Sequence, residues 1–175
     1  MNLVEKKYLE ACEIPTDINE HLPVLKKYAE KCDHIIELGV RSIISTWAFL
    51  AGMPKRMVSI DLLLPKECGG DLAEVYKGAK EIEVAFSFIL GNDLDIELEE
   101  TDLLFIDTEH TYDQLKQELF LFHSKAKKYI IIHDTAIFED ILMPAVNDFL
   151  KVHKNWKVKE KLTNNNGLLV LDRRK

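Results

Sequence analysis

The sequence predicts an α/β fold, a three-layer Rossmann-like sandwich built on a seven-stranded, mostly parallel sheet with an antiparallel last strand. Short β-branched segments alternate with amphipathic segments of helical period along most of the chain, which is typical of a parallel sheet covered by helices. The last two apolar segments are joined by a short polar turn with no helix between them, which indicates a terminal β-hairpin. The chain has 175 residues, of which 47% are hydrophobic, so it can form one domain with a substantial core.

The first half of the chain is predicted to begin with N-terminal helices in residues 1–32 and to continue as a Rossmann-like core, within a single domain over 1–175. Ile18 and Leu22 are part of an apolar series near helical spacing, which predicts a helix over 18–32. The elements predicted next are a strand at 34–40, a helix at 43–52, a strand at 57–61, a helix at 71–80 and a strand at 84–90.

The second half continues this alternation and then departs from it. Leu115 and Leu119 share one face of the segment 111–126, which predicts a helix there. The predicted elements are a strand at 102–107, the helix at 111–126, a strand at 129–134, a helix at 139–152 and strands at 156–162 and 167–173. Asn166 and Gly167 favour the positive φ that a tight hairpin needs, so the last strand should run antiparallel to its neighbour.

The composition argues against several classes of partner. The net charge of −7 gives no overall field that would draw the molecule to phosphate backbones or anionic lipid, and no apolar run approaches the length of a membrane span. Cys12, Cys32 and Cys68 are odd in number and lack metal-ligand spacing, which predicts free thiols in a cytoplasmic protein. We therefore expect a small-molecule or glycan substrate, no nucleic acid and no membrane, and we leave a homodimer open.

Acidic residues lie at or just beyond the carboxyl ends of five predicted strands. They are Glu37, Asp61, Asp93, Asp107 and Asp134. Each one alone is well explained as a cap of the following helix, because Asp and Asn favour such turns. Five carboxylates on one rim of a sheet would repel one another unless a ligand or a metal offsets their charge. Ligands bind at this rim in open parallel sheets, so we expect the functional site there.

The glycine turn after the first strand favours a nucleoside cofactor without phosphates. Asp61 lies about twenty residues beyond this turn, where a carboxylate can accept the ribose hydroxyls of either NAD or S-adenosylmethionine (SAM). A dinucleotide requires GxGxxG, so that the backbone can close on the pyrophosphate. Here the turn reads GVRSIIST, with only Gly39 and two isoleucines where small residues would be needed. The turn therefore disfavours NAD.

The segment 105–115, FIDTEHTYDQL, contains the clearest candidates for chemistry. His110 lies three residues beyond Asp107, in the turn before a helix, and faces the strand end that carries Asp134. A lone histidine at such a position usually only begins the helix. Beside two carboxylates it becomes a candidate general base. Asp107 and Asp134, with few basic residues between them, also suit a hard divalent cation such as magnesium.

Four segments together resemble a known family. They are ELGVRSIISTWAFL, VSIDLLL, DLLFIDTEHTYDQLKQEL and YIIIHDT, in this order and spacing. They resemble the class I SAM-dependent methyltransferases grouped with the cephalosporin-hydroxylase and sugar O-methyltransferase proteins (methyltransferase domain 24-like). The resemblance spans residues 33–172, and the FID-x-x-H-x-Y and HDT pieces are its most specific parts. It implies a SAM-dependent O-methyltransferase that acts on a small-molecule or glycan hydroxyl.

The resemblance also implies roles for individual residues. The cofactor-binding residues would be Glu37, Gly39, Ser45, Thr46, Asp61, Asn92, Asp93 and Asp107. The first four would lie near the methionine half of SAM, Asp61 at its ribose, and Asn92 and Asp93 beside its adenine. In the similar catechol-type enzymes two acids hold magnesium and a residue three beyond the first acid is the base. Here these positions fall on Asp107 and Asp134 as metal ligands, with His110 as the base and Asp107 beside it as the second catalytic residue.

Two departures from the pattern keep alternatives open. Ile43 stands where relatives usually have glycine, which either crowds the cofactor or only alters the loop. His133 and Thr135, which flank Asp134, are not the usual partners of a magnesium ligand, so a metal-free member stays open. The rival functions are an NAD-dependent oxidoreductase on a similar sheet and a catalytically silent methyltransferase fold used for binding.

Overall fold

The computed structural model describes residues 1–174, and in this part of the chain helices and strands alternate as the sequence predicts. The strands are β1 (His34–Leu38), β2 (Arg56–Asp61), β3 (Ala85–Leu90), β4 (Thr101–Ile106), β5 (Ala126–His133), β6 (Trp156–Leu162) and β7 (Leu168–Arg173). The helices are α1 (Leu3–Glu13), α2 (Leu22–Ala29), α3 (Ile44–Ala51), α4 (Leu72–Glu81), α5 (Tyr112–Phe122) and α6 (Glu139–Val152). Short 3₁₀ turns lie at Asn19–His21, Pro65–Cys68 and Asp93–Asp95.

The seven strands form one mixed sheet in the order β3-β2-β1-β4-β5-β7-β6. The first five strands are parallel, whereas β7 runs antiparallel to both β5 and β6. The strand order reverses between β1 and β4, which leaves a crevice at their carboxyl ends. The predicted Rossmann-like fold with a terminal β-hairpin is therefore confirmed.

Each face of the sheet supports its own hydrophobic core, because neighbouring residues of a strand point to opposite faces. In β1, Ile35 packs into the core that α1 to α4 cover, while Ile36 packs into the core under α5 and α6. Phe105 and Ile106 of β4 divide between the two cores in the same way. The site rim is thus attached to strands that are buried on both sides and rigid.

Side-chain caps fix where several helices begin. The side chain of Asn2 accepts a hydrogen bond from the backbone of Glu5 and begins α1. Asp71 begins α4 in the same way, and Thr111 begins α5 by accepting from the backbone N–H of Gln114. The cap at Thr111 places the turn before α5, which contains the FIDTEH residues, directly at the end of β4.

The helix predicted over 18–32 spans only Leu22–Ala29, after a 3₁₀ turn at Asn19–His21. The other boundaries differ from the sequence prediction mainly around β5. This strand begins at Ala126, not at 129, and α5 ends at Phe122, not at 126. The exposed Lys127 and Lys128 resemble a polar loop in the sequence, yet they continue the strand because its first residue pairs with Thr101 of β4. In the final hairpin the positive φ values belong to Asn165 and Gly167.

A search of the described residues for a helix long and apolar enough to cross a membrane finds none.

Candidate functional site

A pocket of about 540 Å³ lies at the carboxyl ends of β1, β2 and β4 and at the turn after β3, where the strand order reverses. Five of the residues predicted to bind a cofactor line it: Gly39, Asp61, Asn92, Asp93 and Asp107. Leu62, Leu63 and Gln114 complete one side. The structure therefore brings these predicted residues together in one cavity.

Gly39 is required where β1 leaves the sheet. Its φ is +82°, and a Cβ atom at this position would lie 2.0 Å from the backbone oxygen of Asp107. The end of β1 therefore approaches the end of β4 more closely than any other residue type permits. This close approach forms the floor of the pocket.

Asp61 organises the glycine turn through backbone hydrogen bonds. Its Oδ2 accepts from the N–H groups of Val40 at 2.7 Å and Arg41 at 2.9 Å, and its Oδ1 accepts from Leu63 at 2.8 Å. Each carboxylate oxygen has two lone pairs, so Oδ1 can still accept a hydrogen bond from a ligand in the pocket. Asp61 thus has a structural task as well as the predicted one.

Glu37, Ser45 and Thr46 form a buried network beneath the turn and do not line the pocket. The Glu37 carboxyl accepts hydrogen bonds from Ser45 at 2.6 Å, Thr46 at 2.8 Å and Ser59 at 2.6 Å. Burial raises the pKa of Glu37 to about 7, although the three hydroxyl donors oppose this shift. The contact of these residues with a cofactor stays a prediction.

Ile43 takes the left-handed conformation that glycine usually supplies, with φ at +63°. This backbone is costly for a β-branched residue, and the side chain offsets the cost by packing into the core, where it is 4% exposed. Its Cγ1 lies toward Gly70, which suggests that the side chain alters the loop and does not enter the pocket lining.

His110 lies beside two carboxylates, one of which, Asp107, also lines the pocket. Its Nε2 is 2.6 Å from Oδ2 of Asp134 and 3.7 Å from Oδ1 of Asp107. The ring stacks on Phe138, with centroids 4.5 Å apart and planes at 8°. The contacts with Asp107 and Asp134 raise the pKa of His110 to about 9, because both carboxylates stabilise the charged ring.

His133 is a member of this cluster that the sequence reasoning did not select. Its Nδ1 is 3.4 Å from an oxygen of Asp107 and 3.4 Å from an oxygen of Asp134, and its Nε2 is 3.2 Å from the backbone oxygen of Asp17. Besides these three acceptors, the ring of His21 lies edge-on to His133, with centroids 5.5 Å apart. Burial opposes its charging, but the two carboxylates raise the pKa of His133 to about 10. Its position next to Asp134 was the available signal.

The pKa values of the two carboxylates, Asp107 and Asp134, shift in the opposite direction. Burial alone would raise the pKa of Asp107 and Asp134, but the contacts with His110 and His133 outweigh it and hold both below their usual range. Asp134 also accepts a hydrogen bond from Asn166 at 2.8 Å. The cluster therefore contains two ionised acids whose charges are balanced by two imidazolium rings.

The N-terminal segment closes one side of this cluster. Arg41 of the glycine turn holds both oxygens of Asp17, at 2.8 and 2.6 Å, and the backbone of Asp17 contacts His133. The side chain of Asn165, in the last hairpin, donates to the backbone oxygen of Thr16 at 2.9 Å. These contacts join residues far apart in the chain, so local sequence pattern gave no signal for them.

Asp107, His110 and Asp134 also form a possible ligand set for a metal ion. Each offers one ligand atom, and the three atoms lie within 4.8 Å of one another. Two carboxylate oxygens and an imidazole nitrogen are a donor set that divalent cations accept in proteins.

No protein-family model and no curated protein sequence matches the chain. Solved structures do match it in fold. TomG from Streptomyces achromogenes, an O-methyltransferase involved in tomaymycin synthesis and solved with SAM, has a TM-score of 0.69 at 13% identity, over 100% of this chain and 91% of TomG. An O-methyltransferase from Bacillus cereus, solved with S-adenosylhomocysteine (SAH), has a TM-score of 0.69 at 13% identity, over 98% of this chain and 90% of that one.

A third solved structure agrees with these two. The methyltransferase PaMTH1 from Podospora anserina, also solved with SAH, has a TM-score of 0.65 at 16% identity, over 100% of this chain and 89% of that one. The chain therefore has the fold of these class I methyltransferases along nearly its whole length, as the sequence resemblance predicts.

Proposed function

We propose that this protein is a SAM-dependent O-methyltransferase that methylates a hydroxyl group of a small molecule or of a glycan. The observation that carries the proposal is the adjacency of two features in a methyltransferase fold. One is the pocket lined by Asp61, Asn92 and Asp93, and the other is the acid–histidine cluster around His110, with Asp107 common to both. A cofactor pocket and a basic group thus meet at one point.

The pocket fits a nucleoside that carries no phosphate. Asp61 retains acceptor capacity for ribose hydroxyls, and the turn above it has isoleucines where a phosphate cradle needs glycine. Leu62 and Leu63, which line the pocket, are 67% and 51% exposed, and an aromatic base would cover such apolar surface. A buried oxygen of Asp93 has no donor within the protein, so the pocket offers an unused acceptor to the amino group of adenine.

SAM would supply a methyl group bound to a sulfonium sulfur. The acceptor oxygen would attack the methyl carbon in line, the carbon–sulfur bond would break, and SAH would leave. The contribution of the protein is then to align the two reactants and to accept the proton of the hydroxyl. His110 is suited to the second task because it lies 3.7 Å from Asp107, which lines the pocket, and its side chain is 33% exposed. Its proton must leave first, so His110 acts as a base only in the fraction of molecules in which the ring is neutral.

We further propose that a divalent cation takes part in the reaction. Asp107 and Asp134 would hold magnesium, since this ion prefers carboxylate oxygens. Bound there, the ion would lower the pKa of the acceptor hydroxyl. In its absence His110 and His133 already balance the two acids, so the cluster is also electrostatically complete without metal.

The test is a screen of nucleotide-sugars, glycans and small phenols with labelled SAM, in parallel samples with added magnesium and with EDTA. We expect label in the product of at least one hydroxyl acceptor. Loss of turnover in EDTA, restored by magnesium, supports metal ligation by Asp107 and Asp134. Full turnover in EDTA assigns the activation of the hydroxyl to His110 alone. Failure to label any acceptor, with SAH binding intact, points to a silent methyltransferase fold.

A further inference from the structure

A second pair of acids lies on the far side of the same pocket, outside the His110 cluster. Asp93, in the turn after β3, is 6% exposed and lines the pocket, and Glu118 on α5 is 0% exposed behind it. The two carboxyl groups are close enough for each to shift the pKa of the other. Gln114, one turn earlier on α5, donates to Oε1 of Glu118 at 2.9 Å and lies 3.5 Å from Oδ1 of Asp93.

The hydrogen bonds of this pair leave two oxygens without a donor. Oε1 of Glu118 accepts from the hydroxyl of Thr108 as well as from Gln114. Oε2 of Glu118 and Oδ2 of Asp93 are both buried, and neither has a partner within the described residues. Ionised carboxylates only accept, so two of them cannot satisfy each other. One proton on either acid supplies the missing donor and removes the repulsion between two buried charges.

The electrostatics agree with this assignment. Burial and the adjacent Asp93 together raise the pKa of Glu118 to about 8, against the hydrogen bonds from Thr108 and Gln114. Burial likewise raises the pKa of Asp93. At neutral pH the pair therefore retains one proton and carries one negative charge in total.

We propose that Glu118 is a positioning residue for the nucleobase end of the pocket: it shares one proton with Asp93 and so fixes the Asp93 carboxyl where it can accept a hydrogen bond from the amino group of adenine. The proposal rests on the assignment of the pocket to SAM. Glu118 is too deeply buried to touch the ligand and acts only through Asp93. Loss of the shared proton places a second charge in the wall of the pocket, and binding should weaken.

Charged groups from several elements surround the Asp93–Glu118 pair. Asp95 lies on the Asp93 side and disfavours its ionisation. Asp107, Glu109, His110 and His133 face Glu118 across a small cavity under the turn before α5. Among these, His110 and His133 lose their protons only near pH 9 to 10. Glu37, beneath the glycine turn, has a pKa of about 7, so only a change in SAH affinity that Glu118→Gln abolishes is assigned to the Asp93–Glu118 pair.

The test is the dissociation constant of SAH, measured by isothermal titration calorimetry from pH 6 to pH 9 on the full chain. For the unmodified protein we expect SAH affinity to fall about tenfold between pH 7 and pH 9, because binding requires one proton on a pair of pKa about 8. Glu118→Gln carries a permanent N–H donor, so it should bind as the unmodified protein does at pH 7 and keep that affinity at pH 9. Glu118→Leu should bind more weakly at every pH.

Asp113→Asn is the matched control, because Asp113 is an exposed acid on the same helix. It should reproduce the pH response of the unmodified protein. The same tenfold loss in Glu118→Gln, or a flat response in the unmodified protein, would overturn the role of the shared proton, even if Glu118→Leu does not fold. Absence of SAH binding at pH 6 to 7 in the unmodified protein would instead overturn the SAM pocket itself, and this inference with it.

Discussion

Two neighbouring pairs of acids, one at the strand ends and one between a strand end and α5, are balanced in different ways. Asp107 and Asp134 stay ionised because His110 and His133 supply two positive charges within 2.6 to 3.4 Å. Asp93 and Glu118 have no cation among their contacts, so they share a proton instead. The two pairs of acids thus differ in charge, because the elements packed against them differ.

This difference in charge agrees with the different roles that we propose for the two pairs. The ionised pair lies where a proton must be removed from an acceptor, and it keeps a titratable ring in place for that purpose. The protonated pair lies where a neutral base is to be recognised, and a lower charge there limits the desolvation that binding costs. Each of the following predictions separates one side of this comparison from the other.

The largest expected effect is on the ionised pair. Replacing His110 with alanine should lower kcat by about 10²- to 10⁴-fold, since the base is lost while the pocket is intact. The SAH dissociation constant, measured by calorimetry, should change little. A variant that melts at lower temperature but turns over normally per folded molecule would reduce His110 to a structural residue at the start of α5.

The dependence of turnover on pH should follow the titration of His110 as well. Because His110 must be neutral to accept a proton, kcat at saturating SAM should rise about tenfold per pH unit and level off near pH 9. The rise should vanish in the alanine variant. A profile that levels off near pH 6.5 would mean that the carboxylates do not hold the proton on His110 during catalysis.

A smaller effect is expected at Asp61, an acid that accepts hydrogen bonds from three backbone N–H groups. Asp61→Ala should weaken SAH binding at least tenfold and destabilise the fold by about 0.5–1.5 kcal/mol, because three backbone N–H groups, two of them on exposed residues, lose their acceptor. Calorimetry and thermal denaturation measure the two effects separately. Asp71→Ala, which also removes a backbone acceptor, should lower the stability but not the affinity.

The smallest effect is on stability at the protonated pair. An acid whose pKa is higher in the folded state than in the unfolded chain contributes stability that declines as pH rises from its ordinary value toward the folded value. For Glu118 this range runs from 4.5 to about 8. Glu118→Gln should therefore melt a few degrees higher than the unmodified protein at pH 8, by roughly 1 kcal/mol, with the gap closing near pH 5. An equal gap at both pH values would contradict a shared proton.

The stability that the histidines contribute to the fold should decline at higher pH. The pKa of His110 rises from 6.5 to about 9, so the stability from its ion pairs is complete below pH 6.5 and is lost as pH rises through 9. The lowered pKa values of Asp107 and Asp134 give stability that is present above pH 3.8 and is lost as pH falls further. A scan of melting temperature on Glu118→Gln isolates these contributions.

The fold was predictable from the sequence because its signals are local. Alternation of apolar strands and amphipathic helices, the Gly39 turn and the polar hairpin before β7 each depend on a few neighbouring residues. The start of β5 was wrong because Lys127 and Lys128 take strand geometry from their pairing with β4, not from their own polarity.

The site was only partly predictable for the same reason. Position on a strand end was enough to bring Asp61, Asp93 and Asp107 to one pocket. It could not show that Glu37 would be enclosed by three hydroxyls, or that Asp17 would lie over His133. Such contacts depend on how distant elements pack.

The most direct test of the central claim is a calorimetric comparison of SAH and NADH on the unmodified protein at pH 7. The account predicts one SAH site per chain, lost in Asp61→Ala, and no measurable heat with NADH. Saturable binding of NADH without binding of SAH would contradict it and assign the pocket to a dinucleotide.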